Sequence, residues 1–147
     1  MDADQLARAC ADAMRANDKA SAGLGIELRD VSEGRAVMTM TVRDDMVNSH
    51  DVCHGGLIFT LADSAFAFAC NSQNQSTVAA GARVEFLASG HLGDCLTAVA
   101  EKVTQGGRTG VYDVLVSNQD NKTMALFRGN SHRIGGALVD ESTGEPV

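Results

Sequence analysis

Between residues 48 and 64 the chain reads NSHDVCHGGLIFTLADS, which brings an amide, two imidazoles, a glycine pair and two acids together. The second acid is the odd member. Asp63 stands among Leu57, Ile58, Phe59, Leu61, Phe66 and Phe68. An ionised carboxylate in such company is costly unless it is paired or kept for a task. Three readings compete: general-base or nucleophilic chemistry, a solvated gap, or a bond to the hydroxyl of Thr60 or Ser64.

His54-Gly55-Gly56 opens the apolar run. Two glycines at a helix start let a ligand approach the backbone closely. The free N–H groups and the helix dipole there favour negative charge. That suits a carbonyl oxygen that becomes an oxyanion, although glycine punctuation of a turn reads the same way. Asn48 is either a neutral donor that holds a water or ordinary turn chemistry. His50 and His54 lie in a loop with no third ligand, so no metal site is expected. His54 can instead orient the loop or a substrate by hydrogen bonds. Cys53 reads as a small packing residue rather than a nucleophile. Ser64 either bonds ligand or water, or solvates the helix surface.

Spacing adds a constraint. Asp63 lies eight residues beyond Gly55, about 12 Å along a helix. One small reacting group cannot touch both on the same chain. A two-fold dimer resolves this by presenting the partner's Asp63 to this chain's Gly55.

The elements that must position these groups follow from periodicity. Leu6, Ala9, Cys10, Ala13 and Met14 line one face of an amphipathic helix over about 3–16, and Asp2 with Gln5 forms a capping box at its start. Asn17-Asp18 breaks it. Between Gly25 and Arg43 the pattern changes to period two, giving two strands around a Glu33-Gly34 turn. The apolar run from Gly55 to Cys70 is too long for a strand and predicts a helix ended by Asn71-Ser72. Four strands follow at approximately 77–88, 95–104, 110–118 and 123–133, separated by turn-rich segments. Residues 137–147, with the single proline Pro146, read as a loose tail. A helix apolar nearly all round must be enclosed. An antiparallel sheet wrapped around it gives an α+β fold, and the remaining sheet edge predicts a dimer.

Composition bounds the rest. With 147 residues, 44% hydrophobic and 21% charged, a single globular domain is expected. The net charge of −7 argues against nucleic acid as a partner. No apolar run reaches the roughly 20 residues of a membrane helix, and the acidic start carries no secretory signal, so the cytoplasm is expected. The four scattered cysteines suggest neither disulfide nor zinc site, and no cofactor is expected. Positive charge collects only at Arg108, Arg128, His132 and Arg133. These four either receive phosphates or guard a strand edge.

The N-x-H-x-x-x-H-G-G run followed by L-A-D-S-A-F-A resembles the signature of hotdog-fold acyl-CoA thioesterases. The C-terminal VYDVLVSNQDNKTMALFRGNSHRIGG is similar to their phenylacetic acid degradation subgroup. The resemblance spans about Gly25 to Gly136. It implies one long helix wrapped by an antiparallel sheet, in dimers and usually in dimers of dimers. It also implies hydrolysis of arylacetyl-CoA, especially ring-hydroxylated phenylacetyl-CoA. On matching positions, Gly55 gives its N–H to the thioester carbonyl and the partner's Asp63 acts as base or nucleophile. Asn48 and His54 position water and substrate, with Gly56 and Ser64 beside them. Two departures stand out: no proline follows Phe86-Leu87-Ala88, and Ser64 replaces a common threonine. A hotdog hydratase pairing His54 with Asp63, or a non-catalytic acyl-CoA sensor, are the competing readings.

Overall fold

The computed structural model describes residues 1–147. Chain order runs α1 (Ala3–Arg15), α2 (Lys19–Gly23), β1 (Glu27–Ser32), β2 (Arg35–Thr41), a 3-10 turn (Asp44–Met46), α3 (Gly55–Cys70), β3 (Thr77–Phe86), β4 (Cys95–Gly106), β5 (Thr109–Ser117) and β6 (Thr123–Arg133). The four later strands agree with the predicted ranges to within two residues at each end. All six strands form one antiparallel sheet in the order β1-β2-β4-β5-β6-β3. It curls around α3.

Strand alternation sends Ala36, Met38 and Met40, then Leu96, Ala98 and Ala100, then Tyr112, Val114 and Val116 inward. They meet Ile58, Leu61, Ala62, Ala65, Phe66 and Ala69 of α3 in one buried cluster. Alanines on both layers let the helix approach the sheet closely, and each larger side chain buried there contributes about 1.5–3 kcal/mol. At Gly129 the approach leaves no room. A Cβ added there would stand 2.7–2.8 Å from the ring of Phe66, itself buried and edge-on to Tyr112 at 5.6 Å. Gly129→Ala is therefore expected to destabilise by about 1–3 kcal/mol and lower Tm by about 2–12 °C; a thermal melt checks it.

The sheet's two edges differ. α1 packs against β1. β3 pairs with β6 alone, and Val78 to Arg83 are all exposed. A long, uncovered, largely apolar edge of this kind is a template for another strand.

Three details depart from expectation. The capping box of α1 is present, but the fully buried residues are Ala7, Cys10 and Ala11; of the predicted face only Cys10 is among them, while Leu6, Ala9, Ala13 and Met14 are half-buried. After Asn17 the chain makes the short α2, capped by Asp18 accepting from the Ser21 N–H at 3.0 Å. The tail is not loose. Asn74 adopts a left-handed φ of 59°, and its Oδ1 accepts from the N–H groups of Leu138 and Val139 at 2.8 and 3.0 Å. Its Nδ2 donates to the Val139 carbonyl at 2.9 Å, and Val139 is buried at 1% exposure. One asparagine thus pins a segment that looks like solvent-exposed coil in sequence.

Candidate active site

The loop before α3 is built backward from Asn48. Its Oδ1 accepts from the N–H groups of His50 and Val52 at 3.0 and 3.3 Å, closing a tight turn in which Asp51 takes φ 63°. His50 points its side chain into solvent. Cys53 and His54 then anchor through their N–H groups to the Gly90 and Met46 carbonyls, each at 2.8 Å. Cys53 is buried, and burial followed by nearby Asp94 raises its thiol above the ordinary value. A raised thiol is a poor nucleophile, in keeping with a packing role.

His54 is the N-cap of α3, and its Nδ1 accepts from the Gly56 N–H at 2.9 Å. A neutral ring that accepts at Nδ1 carries its proton on Nε2. The N–H groups of Leu57 and Ile58 both turn to the His54 carbonyl, at 3.0 and 3.4 Å. With those three engaged, the Gly55 N–H is left without a partner in the chain. It sits at the positive end of a 16-residue helix, where an anionic oxygen is stabilised. Of the glycine pair, Gly55 is the open donor. Gly56 presents a bare Cα, but its N–H is already engaged.

Asp63 lies two turns further along. Thr60 Oγ1 donates to the Gly56 carbonyl and Ser64 Oγ to the Thr60 carbonyl, both at 2.8 Å. Ser64 also faces Ser21 of α2 at 3.3 Å. Neither hydroxyl serves Asp63, which removes that structural explanation for its presence. The carboxylate is half-buried without a bonded partner, and burial pushes its pKa above the usual carboxylate range. An acid held in this way is a stronger base than its free counterpart.

The basic residues lie elsewhere. Arg128 and His132 share the exposed outer face of β6, as alternation predicts. Arg128 is held by Asp113 through two bonds at 2.6 and 2.8 Å, and in return keeps that carboxyl below its usual range. Arg133 donates to Gln73 at 2.8 Å, and its N–H bonds the Arg108 carbonyl. Thr77 pairs with Arg133 and also bonds Asn71. Arg108, His132 and Arg133 therefore stand at the C-terminal end of α3, roughly 22 Å along the helix from Gly55. One chain does not bring them to its own glycine pair.

One neighbour of the site stood in the sequence only as the start of the Phe86-Leu87-Ala88 departure from the family pattern. Phe86, at the end of β3, rests its ring tip on Gly55. An aromatic at the end of a strand carries no local mark of that contact.

A helix sheathed by a curled six-stranded antiparallel sheet, with an open amide at its start and an unpartnered acid in its middle, is the hotdog arrangement. Residues 50–125 match the family model described as the thioesterase superfamily. The chain belongs to that superfamily. It is 52% identical to the acyl-coenzyme A thioesterase PaaI of Escherichia coli (strain K12) over 132 residues, covering 90% of this chain and 94% of that one. The structure of the E. coli PaaI protein from the phenylacetic acid degradation operon superposes with a TM-score of 0.90 at 51% identity, over 91% of this chain and 97% of the other. A Streptococcus mutans UA159 protein, solved bound to acetyl CoA, superposes with a TM-score of 0.74 at 29% identity, over 76% and 90%.

Proposed function

We propose that this thioesterase hydrolyses arylacetyl-CoA thioesters, with ring-hydroxylated phenylacetyl-CoA the favoured group, to the free acid and CoA in phenylacetate catabolism. The observation that carries the reading is the pairing of one open helix-start amide, Gly55, with one unpartnered, burial-raised carboxylate, Asp63. The carbonyl oxygen takes the Gly55 N–H and gains negative charge in the transition state, so this donor accelerates the chemical step rather than merely binding substrate. Asp63 either draws a proton from an attacking water or attacks the carbonyl carbon itself. The thiolate of CoA then leaves, and on the second route water cleaves the acyl–Asp63 anhydride, releasing the acid and restoring the carboxylate. Asn48 and His54 build the loop that aims the Gly55 amide, with His54 Nε2 and the Asn48 amide nitrogen facing substrate and water. The bare Cα of Gly56 and the Ser64 side chain line the approach.

The same reading makes the working unit a dimer. Antiparallel pairing of two β3 edges extends the sheet across a two-fold axis. It lays the two α3 helices side by side and carries the partner's Asp63 toward this chain's Gly55. It also sets the Thr77 end of one β3 against the Phe86 end of the other. The partner's His132 and Arg133, with its Arg108, then reach the glycine end and receive CoA phosphates. Arg128, neutralised by Asp113, belongs to a second surface. Across β4, β5, β6 and β3 the outer face aligns Glu101, Asp113, Arg128 and Arg83 beside Val99, Leu115 and Leu126. Turned by half a rotation, the acidic half of that row meets the basic half of a second copy, which suits a dimer of dimers. No helix is long and apolar enough to cross a membrane. All four cysteines are free, which fits a reducing compartment, and we place the reaction in the cytoplasm.

Free-thiol release from a panel of arylacetyl- and straight-chain acyl-CoAs tests the assignment. Arylacetyl-CoA should show the larger kcat/KM, with hydroxylated rings at the top. Faster turnover of straight chains, or no thiol from any of them, would overturn it.

A further inference from the structure

Resting on the arylacetyl reading above, we infer that Phe86 is the specificity-determining wall of the acyl site, sorting aromatic from straight-chain acyl groups beside the Gly55 amide. Phe86 is the last residue of β3 and lies on the inner face of the sheet, opposite to Glu85. A Cβ built on Gly55 would stand 3.1 Å from its Cζ and 3.3 and 3.5 Å from Cε1 and Cε2. Gly55 is absent from the positive-φ glycines, so no turn geometry calls for glycine here, and the ring packs closely enough that an added Cβ would displace it slightly. Side chain and oxyanion donor are thus adjacent by contact, although 31 positions separate them in the chain.

The ring is held but not buried. The N–H groups of Leu87 and Ala88 both donate to the Met124 carbonyl, at 2.9 and 3.2 Å, which fixes the backbone carrying it. Phe86 is nevertheless 53% exposed and Leu87 56%, an apolar surface beside the one open amide of the helix. A thioester bound at that amide has two arms. The CoA arm carries the pantetheine amides and, beyond them, the charged phosphates, and needs water or polar partners, whereas the acyl arm of an arylacetyl group is apolar. The apolar arm is the one that gains by lying on Phe86. Its ring, joined through one methylene to the carbonyl carbon, comes within the distances at which aromatic rings pack edge-to-face, roughly 4.5–7 Å between centroids. A straight chain gains dispersion there but no ring–ring term. That term corresponds to roughly a two- to twelvefold preference.

The test compares kcat/KM for phenylacetyl-CoA and hexanoyl-CoA, competing in one mixture, for the wild-type chain, F86L and F86Y. Leucine keeps an apolar side chain of similar reach and removes the ring; tyrosine restores the ring. The aryl-to-alkyl ratio should fall about three- to tenfold in F86L and return to within about twofold of wild type in F86Y. A wall that serves only packing or subunit contact would lower both substrates together, and an unchanged ratio in F86L overturns the inference. If F86L does not fold, F86M supplies the same ring-free comparison. Wild-type protein that turns over hexanoyl-CoA but no phenylacetyl-CoA would overturn the arylacetyl reading itself, and this inference with it. The wild-type measurement separates the two failures.

Discussion

Asp63→Asn is expected to lower kcat by about a thousandfold or more while leaving the protein at least as stable at neutral pH. Asparagine is isosteric but neither accepts a proton from water nor attacks a carbonyl. Loss of a general base alone accounts for about 10²–10⁴ in rate, and loss of a nucleophile removes the covalent route as well. The stability half follows from the sign of the pKa shift. Burial raises the Asp63 pKa in the folded state, so the native protein binds this proton more tightly than the unfolded chain does. That contribution is fully present below the ordinary carboxylate pKa, about 3.9, and is lost as pH rises through the raised folded value. At neutral pH the ionised group therefore opposes folding, and the amide relieves it. Melts of both proteins should converge in acid and diverge toward neutrality with the variant on top. The same shift sets the pH–rate profile: kcat/KM should fall on acidification with an inflection above the usual carboxylate range, and D63N should lose that limb. Wild-type-like turnover by D63N would remove Asp63 from the mechanism.

Gly55→Pro isolates the other half of the proposed machinery. Proline lacks the N–H yet is well tolerated at the first position of a helix, where that hydrogen has no intrahelical partner. His54, with φ −58° and ψ 127°, already has the extended conformation required before proline. The variant should fold and lose about 10²–10³ in kcat, the usual effect of deleting one oxyanion donor. Gly55→Ala is its control, since it keeps the N–H and asks the Phe86 ring to shift by a few tenths of an ångström. A G55P enzyme no slower than G55A would show that the amide does not hold the oxyanion.

The two variants together test the proposal of a site shared between subunits. If each site joins one chain's Gly55 to the other chain's Asp63, a mixed dimer of D63N and G55P holds one intact site and one doubly damaged site. Co-refolding equal amounts should then recover about a quarter of wild-type activity, because half the dimers are mixed and each has one working site. A site contained within one chain would recover nothing.

Much of the scaffold was legible because it is encoded over short distances. The period-two runs and the turns between them located β3 to β6, and the apolar run after Gly55-Gly56 located α3. The Asp2–Gln5 box marked the start of α1. These signals depend on neighbours within a few residues, where steric and hydrogen-bond preferences act directly. Asp63 stood out for a similar reason, since an acid in an apolar stretch is anomalous before any partner is known.

What remained hidden was every choice of partner. That Asn74 grips Val139, that His54 takes the Gly56 hydrogen and so leaves Gly55 open, and that Asp113 neutralises Arg128 follow from which strands pair and in what register. The helix carbonyls could always have taken the Thr60 and Ser64 hydroxyls, but only the folded chain shows that they do, leaving Asp63 alone. Phe86 reaches Gly55 because β3 sits at the sheet edge beside the start of α3. Local pattern determined the elements and the suspect residues; the tertiary structure decided which polar atoms are already satisfied, and therefore which are free to act on a substrate.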